Sequence, residues 1–161
     1  MNTYKTTLSG REVVFTHQGT AVMPPFDKVT SVSAIVFTTD GQIVAVRLRH
    51  RGIDIPGGHV EKYETTPLET LTREVMEEAH MTIRSPQLIE VIHSDFHDSD
   101  SYMLLYAALV DTLHEFKQTD EMSYERVMLG KEDFLAAYTS WDRQLFARSI
   151  DKGWAVMQKL I

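Results

Sequence analysis

The chain reads as one mixed α/β domain of the α+β kind, and three features predict this. Two β-branched apolar runs flank Thr39-Asp40-Gly41, a strong Asp-Gly hairpin signal. A helix with clear start signals at Thr66-Pro67-Leu68-Glu69 stands between predicted strands. The remaining helical patterns fall late, and strands on both sides of a central helix favour a sandwich over a helical bundle.

Residues 11–17 (REVVFTH) are rich in β-formers and read as the first strand, followed by a turn-prone stretch with Pro24-Pro25. Residues 31–38 and 42–49 form the hairpin, and the alternation in the second strand places Arg47 and Arg49 towards its end. In the helix, Thr66 is the N-cap, Pro67 takes the first helical position and Glu69 reaches back. Leu68, Leu71, Val75 and Ala79 mark its buried stripe, and Pro86 is expected to bound the exit. Residues 88–93 and 102–110 read as strands around a polar loop, and 121–129 as a short strand. Residues 131–138 read as a short helix and 140–160 as an amphipathic one weakened by Gly153. No repeat or linker divides the 161 residues, so a single domain spanning 1–161 is expected.

The formal net charge of −7 argues against a nucleic-acid or anionic-membrane partner, both of which need a basic surface. Phosphate-bearing small molecules stay open, because bound cations reverse the local field. The absence of cysteine removes disulfides, thiolate metal sites and thiol nucleophiles. MNTYKTTLSG lacks the apolar core of a signal peptide, and no apolar run approaches membrane-spanning length. A cytoplasmic protein is expected.

The densest chemistry lies in residues 55–81. Glu74, Glu77 and Glu78 fall within five helical residues beside a Gly-Gly loop. Glu74 and Glu78 are one turn apart and Glu77 lies on the adjoining edge, next to the apolar stripe. Like charges at this spacing destabilise a bare helix by roughly 0.2–0.5 kcal/mol per pair. A hard divalent cation offsets that repulsion and prefers oxygen ligands shared with substrate phosphates. The alternative for such a run alone is a solvated acidic face.

The flanking residues decide between the two. Gly58, Glu64, Arg73, Glu74, Glu77 and Glu78, preceded by Ile55-Pro56-Gly57, resemble the Nudix box. That pattern is a glycine, five residues, glutamate, seven residues, then Arg-Glu-aliphatic-any-Glu-Glu-any-Gly-aliphatic. The chain departs from it at three places. Eight residues separate Glu64 from Arg73, so Thr65 or Thr66 reads as an insertion. It falls before the N-cap, so the helix register should survive and the placement of Glu64 is what it touches. Tyr63 stands where glycine is common, and His80 takes the closing glycine, a residue suited to a left-handed helix cap.

The resemblance implies a Nudix fold, a mixed β-sheet sandwiched between helices. It implies a Mg²⁺-dependent hydrolase, with Mn²⁺ as the other candidate cation. Water would attack a diphosphate phosphorus of a nucleoside diphosphate linked to another moiety, of the nucleoside triphosphate or nucleotide sugar type. By the same resemblance Glu74, Glu78 and Glu77 are metal ligands, with the Gly57 carbonyl as a further one. Arg73 orients a box glutamate by ion pairing. Glu64, Glu77, Glu121 and Glu125 are candidate general bases, Glu121 being first among the later acids because that region often carries an extra glutamate. Arg47 and Arg49 are candidate phosphate grips, since guanidinium forks suit phosphate oxygens. Of His59, His93 and His97, only His97 invites a test. Phe26, Phe96, Tyr102 and Tyr124 are aromatic faces among which the sequence does not choose. The rival reading is a catalytically silent Nudix-fold domain that senses a nucleotide, disfavoured because every box glutamate is retained. An isoprenyl diphosphate isomerase of this fold would need a catalytic cysteine. A homodimer is left open.

Overall fold

The structure, a computed structural model, describes residues 2–96, 100–118 and 123–161. Among them nine strands and three α-helices follow one another: β1 Thr3–Leu8, β2 Arg11–His17, β3 Val29–Phe37, β4 Ile43–Leu48, β5 Gly52–Asp54, β6 Gly57–His59, α1 Pro67–Ala79, β7 Met81–Ser94, β8 Ser101–Leu113, β9 Ser123–Leu129, α2 Lys131–Ala137 and α3 Arg143–Met157. The sheet runs β1-β2-β7-β8-β3-β4-β5, with β6 on β3 and β9 on β4. β3 and β8 pair in parallel, and the other pairs are antiparallel. The expected mixed sheet between helices is the observed architecture.

The period-2 alternation of the central strands builds two cores. Val32, Ala34 and Val36 of β3 and Val44, Val46 and Leu48 of β4 face Leu71, Val75 and Ala79 of α1. Ile35, Phe37, Ile43 and Ala45 point the other way, into a cluster with Phe134 and Tyr138 and with Phe146 and Ile150 of α3. Both faces of the central strands are thus covered, which is why their sequence reads as continuous apolar runs. Gly153 seats α3: a Cβ there would lie 3.1 Å from the Ala107 side chain and 3.2 Å from the Phe37 ring. The glycine expected to weaken this helix instead allows its close approach.

Several elements differ from the expectation. β1 precedes the strand read as first, joined to it by Ser9 and Gly10 at φ 52° and 76°, the paired left-handed geometry of a tight hairpin turn. Pro86 does not bound the helix exit. It lies inside β7 at a bulge, where the register with β8 shifts between Arg84 and Gln87 and no ladder bond needs its missing N–H. Leu68 is 45% exposed and falls outside the buried stripe, because Thr70 turns inward instead and donates to Glu64. The strand expected over 121–129 is observed from Ser123, since residues 119–122 lie outside the described set.

Candidate active site

The site grows from how α1 is held at its two ends. At the start Thr66 is extended, its Oγ1 accepts from the Glu69 N–H at 3.3 Å, and Pro67 follows at the first helical position. The Glu69 carboxylate reaches back to both Thr65 groups and the Thr66 hydroxyl, a capping box displaced by one residue. At the end His80 adopts φ 50°, ψ 51°, the left-handed cap otherwise suited to glycine. Phe116 packs edge-on against its ring at 4.8 Å. The last carbonyls find donors too: Ser123 Oγ to Glu78, Arg126 Nη1 to Ala79 and His80, and the His114 N–H to His80.

Fixing both ends fixes the acidic edge. Arg73 is its hub. Its Nε and Nη2 grip Glu64 at 3.0 and 3.1 Å, Nη1 donates to Glu74 at 2.9 Å and Glu77 at 3.1 Å, and Nη2 also reaches the His59 carbonyl at 2.8 Å. Glu64 accepts further bonds from Thr70 Oγ1 and the Glu61 N–H, and its side chain is almost wholly buried. The Arg73 bonds hold the Glu64 carboxyl below its ordinary range, and Arg73 is correspondingly fixed as a cation. With eight residues between them, Glu64 still lies within bidentate reach of Arg73.

The Gly-Gly loop closes on the same edge. The Gly57 N–H donates to Glu78 Oε1 at 2.8 Å. A Cβ on Gly57 would lie 2.3 Å from the Ser33 side chain, and one on Gly58 would lie 2.5 Å from a Glu74 carboxylate oxygen. Gly57 is therefore required by the close approach of the β3 backbone, whereas a side chain at Gly58 would displace the Glu74 carboxylate. Burial pushes the Glu78 carboxyl up to about 7, helped by the charges of Glu74 and Asp54 and opposed by the Gly57 N–H and Arg51. Burial also raises Glu74, against the pull of Arg73.

Two partly buried, mutually repelling carboxylates beside a glycine loop offer the hard oxygen donors a divalent cation takes up. Among the described residues no three acidic or imidazole groups already form a metal-holding cluster, and Arg73 holds oxygens of Glu74 and Glu77. The donor set fits Mg²⁺ or Mn²⁺ by its chemistry.

A cavity of about 440 Å³ opens beside Gly57 and Gly58, on the α3 face of the sheet. The N-terminal hairpin (Tyr4, Phe15) and Trp141 wall one side, with the Phe15 and Trp141 rings 4.7 Å apart at 79°. Phe96 lines it, whereas Phe26 packs on the α1 core, Tyr102 meets the His93 ring and Tyr124 lies under Arg49. Arg47 pairs with Glu125 at 3.0 Å; neither it nor Arg49 lines the cavity, but Arg51 does. His97 and Glu121 lie outside the described residues. Sequence reasoning missed Asp54, Tyr138 and Trp141, all lining the cavity. A signal existed for Asp54, an acid between two isoleucines directly before the glycine loop.

Comparison with known proteins bears on the family and the fold. The model of the NUDIX domain matches residues 27–148, more than half of the chain. No curated protein sequence matches. Among solved structures, the fold is shared with a variant of the Bacillus subtilis pyrophosphohydrolase BsRppH, at 23% identity and TM-score 0.61, covering 78% of this chain and 77% of the other. The Bacillus halodurans MutT protein is similar at 21% identity and TM-score 0.57, with coverages of 74% and 80%. The Nudix domain of Shewanella oneidensis NrtR, solved with ADP ribose, is similar at 15% identity and TM-score 0.61, with coverages of 85% and 95%.

Proposed function

Because the chain belongs to the Nudix family of phosphoric anhydride hydrolases, we propose that it is a Mg²⁺-dependent pyrophosphohydrolase of nucleoside diphosphates linked to another moiety. Nucleoside triphosphates and nucleotide sugars are the two substrate types in question. The observation that carries this reading is the meeting of Glu74 and Glu78 with the backbone of Gly57 and Gly58, two residues that also line the cavity.

Glu74, Glu78 and Glu77 would hold the cation, with the Gly57 carbonyl as a further ligand. When bound, the cation supplies charge stabilisation at the diphosphate and an acidified water. The chain's own residues do the positioning. Arg73 fixes the rotamers of Glu74 and Glu77, and Glu64 fixes Arg73 through two parallel bonds. Glu64 is saturated by four donors and held ionised, which suits an orienting role more than proton uptake. Glu77, with 41% of its side chain exposed, keeps an oxygen available to accept a proton from water, and Glu121 is the second candidate. The cavity takes the organic end of the substrate, excluding water beside the reacting diphosphate.

The test is product release from nucleoside triphosphates, dinucleoside polyphosphates and nucleotide sugars, with Mg²⁺, Mn²⁺ or chelator. Turnover of at least one class that vanishes with chelator supports the reading. Tight nucleotide binding with no turnover under any metal would instead make the chain a sensor.

A further inference from the structure

The sheet ends in an unguarded strand. Among the described residues β1 pairs only with β2, and its outer edge is open along Thr3–Leu8. Natural sheets blunt such edges with proline, bulges or very short strands, because a row of free N–H and C=O groups invites another strand. β1 has six residues in unbroken register, no proline and one charge, Lys5. At the other end of the sheet β5 has three residues and carries a bridge from Ile53 to Tyr138.

The hydrogen-bond phase of β1 says which of its groups are free. Extending the β1–β2 register places His17 opposite Asn2, and the His17 N–H donates to the Asn2 carbonyl at 2.8 Å. Such bonded pairs recur at every second position of an antiparallel ladder. Even-numbered residues of β1 therefore bond inward to β2, and Thr3, Lys5 and Thr7 present their backbone groups outward. The even-numbered side chains face the cavity: Tyr4 and Leu8 line it, and Tyr4 stacks on Phe15.

We infer that the partner for this edge is a second copy of the chain, paired β1 to β1 in antiparallel fashion about a two-fold axis through Thr6. Two conditions select this register. Joining outward groups to outward groups, with like faces together, requires paired residues to be both odd-numbered or both even-numbered. An axis at Lys5 would set two like charges directly opposite each other. Moving the axis to Thr6 sets Lys5 against the partner's Thr7, with backbone bonds exchanged at both such pairs. Charge complementarity then favours a copy of this chain over an unrelated strand. Thr7 lies opposite Glu12 of β2, so Glu12 and the partner's Lys5 flank Thr7 on one face. Adjacent strands are about 4.8 Å apart, so these two long side chains meet across the short threonine. Lys5 and Glu12 are exposed and make no ion pair among the described residues, and the symmetry forms the contact twice. On the other face Leu8, 36% exposed in the single chain, comes against Tyr4 of the other copy. The partner's Leu8 thereby joins the wall of the cavity.

Sedimentation velocity of the full chain from about 1 to 200 µM, without nucleotide or metal, tests the assembly independently of turnover. The mass should rise with concentration from 18.4 kDa towards twice that value. Thr7→Pro removes an outward donor and no β1–β2 bond, so it should stay monomeric with unchanged far-ultraviolet dichroism. Lys5→Glu should weaken the dimer about five- to thirtyfold, two exposed pairs being lost, and Lys5→Glu with Glu12→Lys should restore it. The chain has no cysteine, so a single introduced thiol reads the register even if Thr7→Pro fails to fold. Thr6→Cys puts two thiols on the axis within disulfide reach and should cross-link under mild oxidation, well ahead of Lys5→Cys. A wild type that is monomeric throughout overturns the proposal. So does a dimer indifferent to Lys5→Glu, or cross-linking of Lys5→Cys as fast as that of Thr6→Cys.

Discussion

Glu78→Gln is the perturbation that most directly probes the acidic edge. In the folded protein burial holds the Glu78 proton up to about pH 7, whereas the unfolded chain releases it near the ordinary value of 4.5. Between those values the native state binds more protons than the unfolded state, so this residue's contribution to stability falls as pH rises. The gap sets a ceiling of about 3 kcal/mol above pH 8. Residual solvent access lowers the expected effect to about 1–2 kcal/mol. Glutamine keeps the Gly57 N–H bond through its own carbonyl oxygen but carries no charge to desolvate and none to repel Glu74 and Asp54. The variant should therefore match the wild type near pH 5 and be the more stable by about 1–2 kcal/mol at pH 8. Asp54 and Glu74 are shifted in the same direction by burial, so only the difference between the two proteins isolates Glu78. Thermal denaturation with chelator from pH 5 to 8.5 measures it. Added Mg²⁺ at pH 8 should raise the wild-type midpoint more than that of the variant, and kcat of the variant should fall roughly 10²-fold or more. Parallel stability profiles for the two proteins, or full turnover of the variant in saturating Mg²⁺, would refute the reasoning.

Three further outcomes are expected. Arg73→Lys loses the planar fork that grips Glu64 and strands a buried carboxylate, so urea denaturation should show about 2–4 kcal/mol of destabilisation. Gly58→Ala drives a Cβ to within 2.5 Å of the Glu74 carboxylate, so Mg²⁺ affinity by calorimetry should fall at least about tenfold while far-ultraviolet dichroism stays native. If Glu77 is the base, Glu77→Gln should lower kcat sharply at nearly constant KM with Glu121→Gln almost silent; steady-state kinetics on both variants shows the reverse pattern if Glu121 takes the proton.

The parts legible in the sequence were those whose causes are local. The Asp-Gly turn set the β3–β4 hairpin, and Thr66, Pro67 and Glu69 set the start of α1 within a residue. The spacing of Arg73, Glu74, Glu77 and Glu78 also survived, because helix geometry alone puts them on one edge. Illegible parts depended on distant partners. Pro86 looked like a helix stop because nothing local reveals that its neighbours would pair with β8 around a bulge. Arg47 is a candidate phosphate grip in the sequence, and what no local signal could give is its pairing with Glu125, set by the register of β4 on β9. Tyr138 carried no signal, since the burial of its hydroxyl without a partner follows from packing against elements distant in sequence.

The N-terminal hairpin has a consequence for how this protein divides its labour. Tyr4, Phe15 and His17 wall the cavity but precede residue 27, where the family match begins, and β2 joins the sheet through residues 15–17 against 92–94, with further bonds from Val14 to Asp95 and from Gln18 and Gly19 to Val91. Every charged group of the acidic edge lies within the matched segment, packed on the opposite side of the sheet from α3. On the proposed reading, bond cleavage would rest on the matched segment, and the shape of the cavity in part on a hairpin outside it that is held to β7 and Trp141. A lineage could exchange the hairpin and inherit the same bond-breaking apparatus behind a differently shaped door.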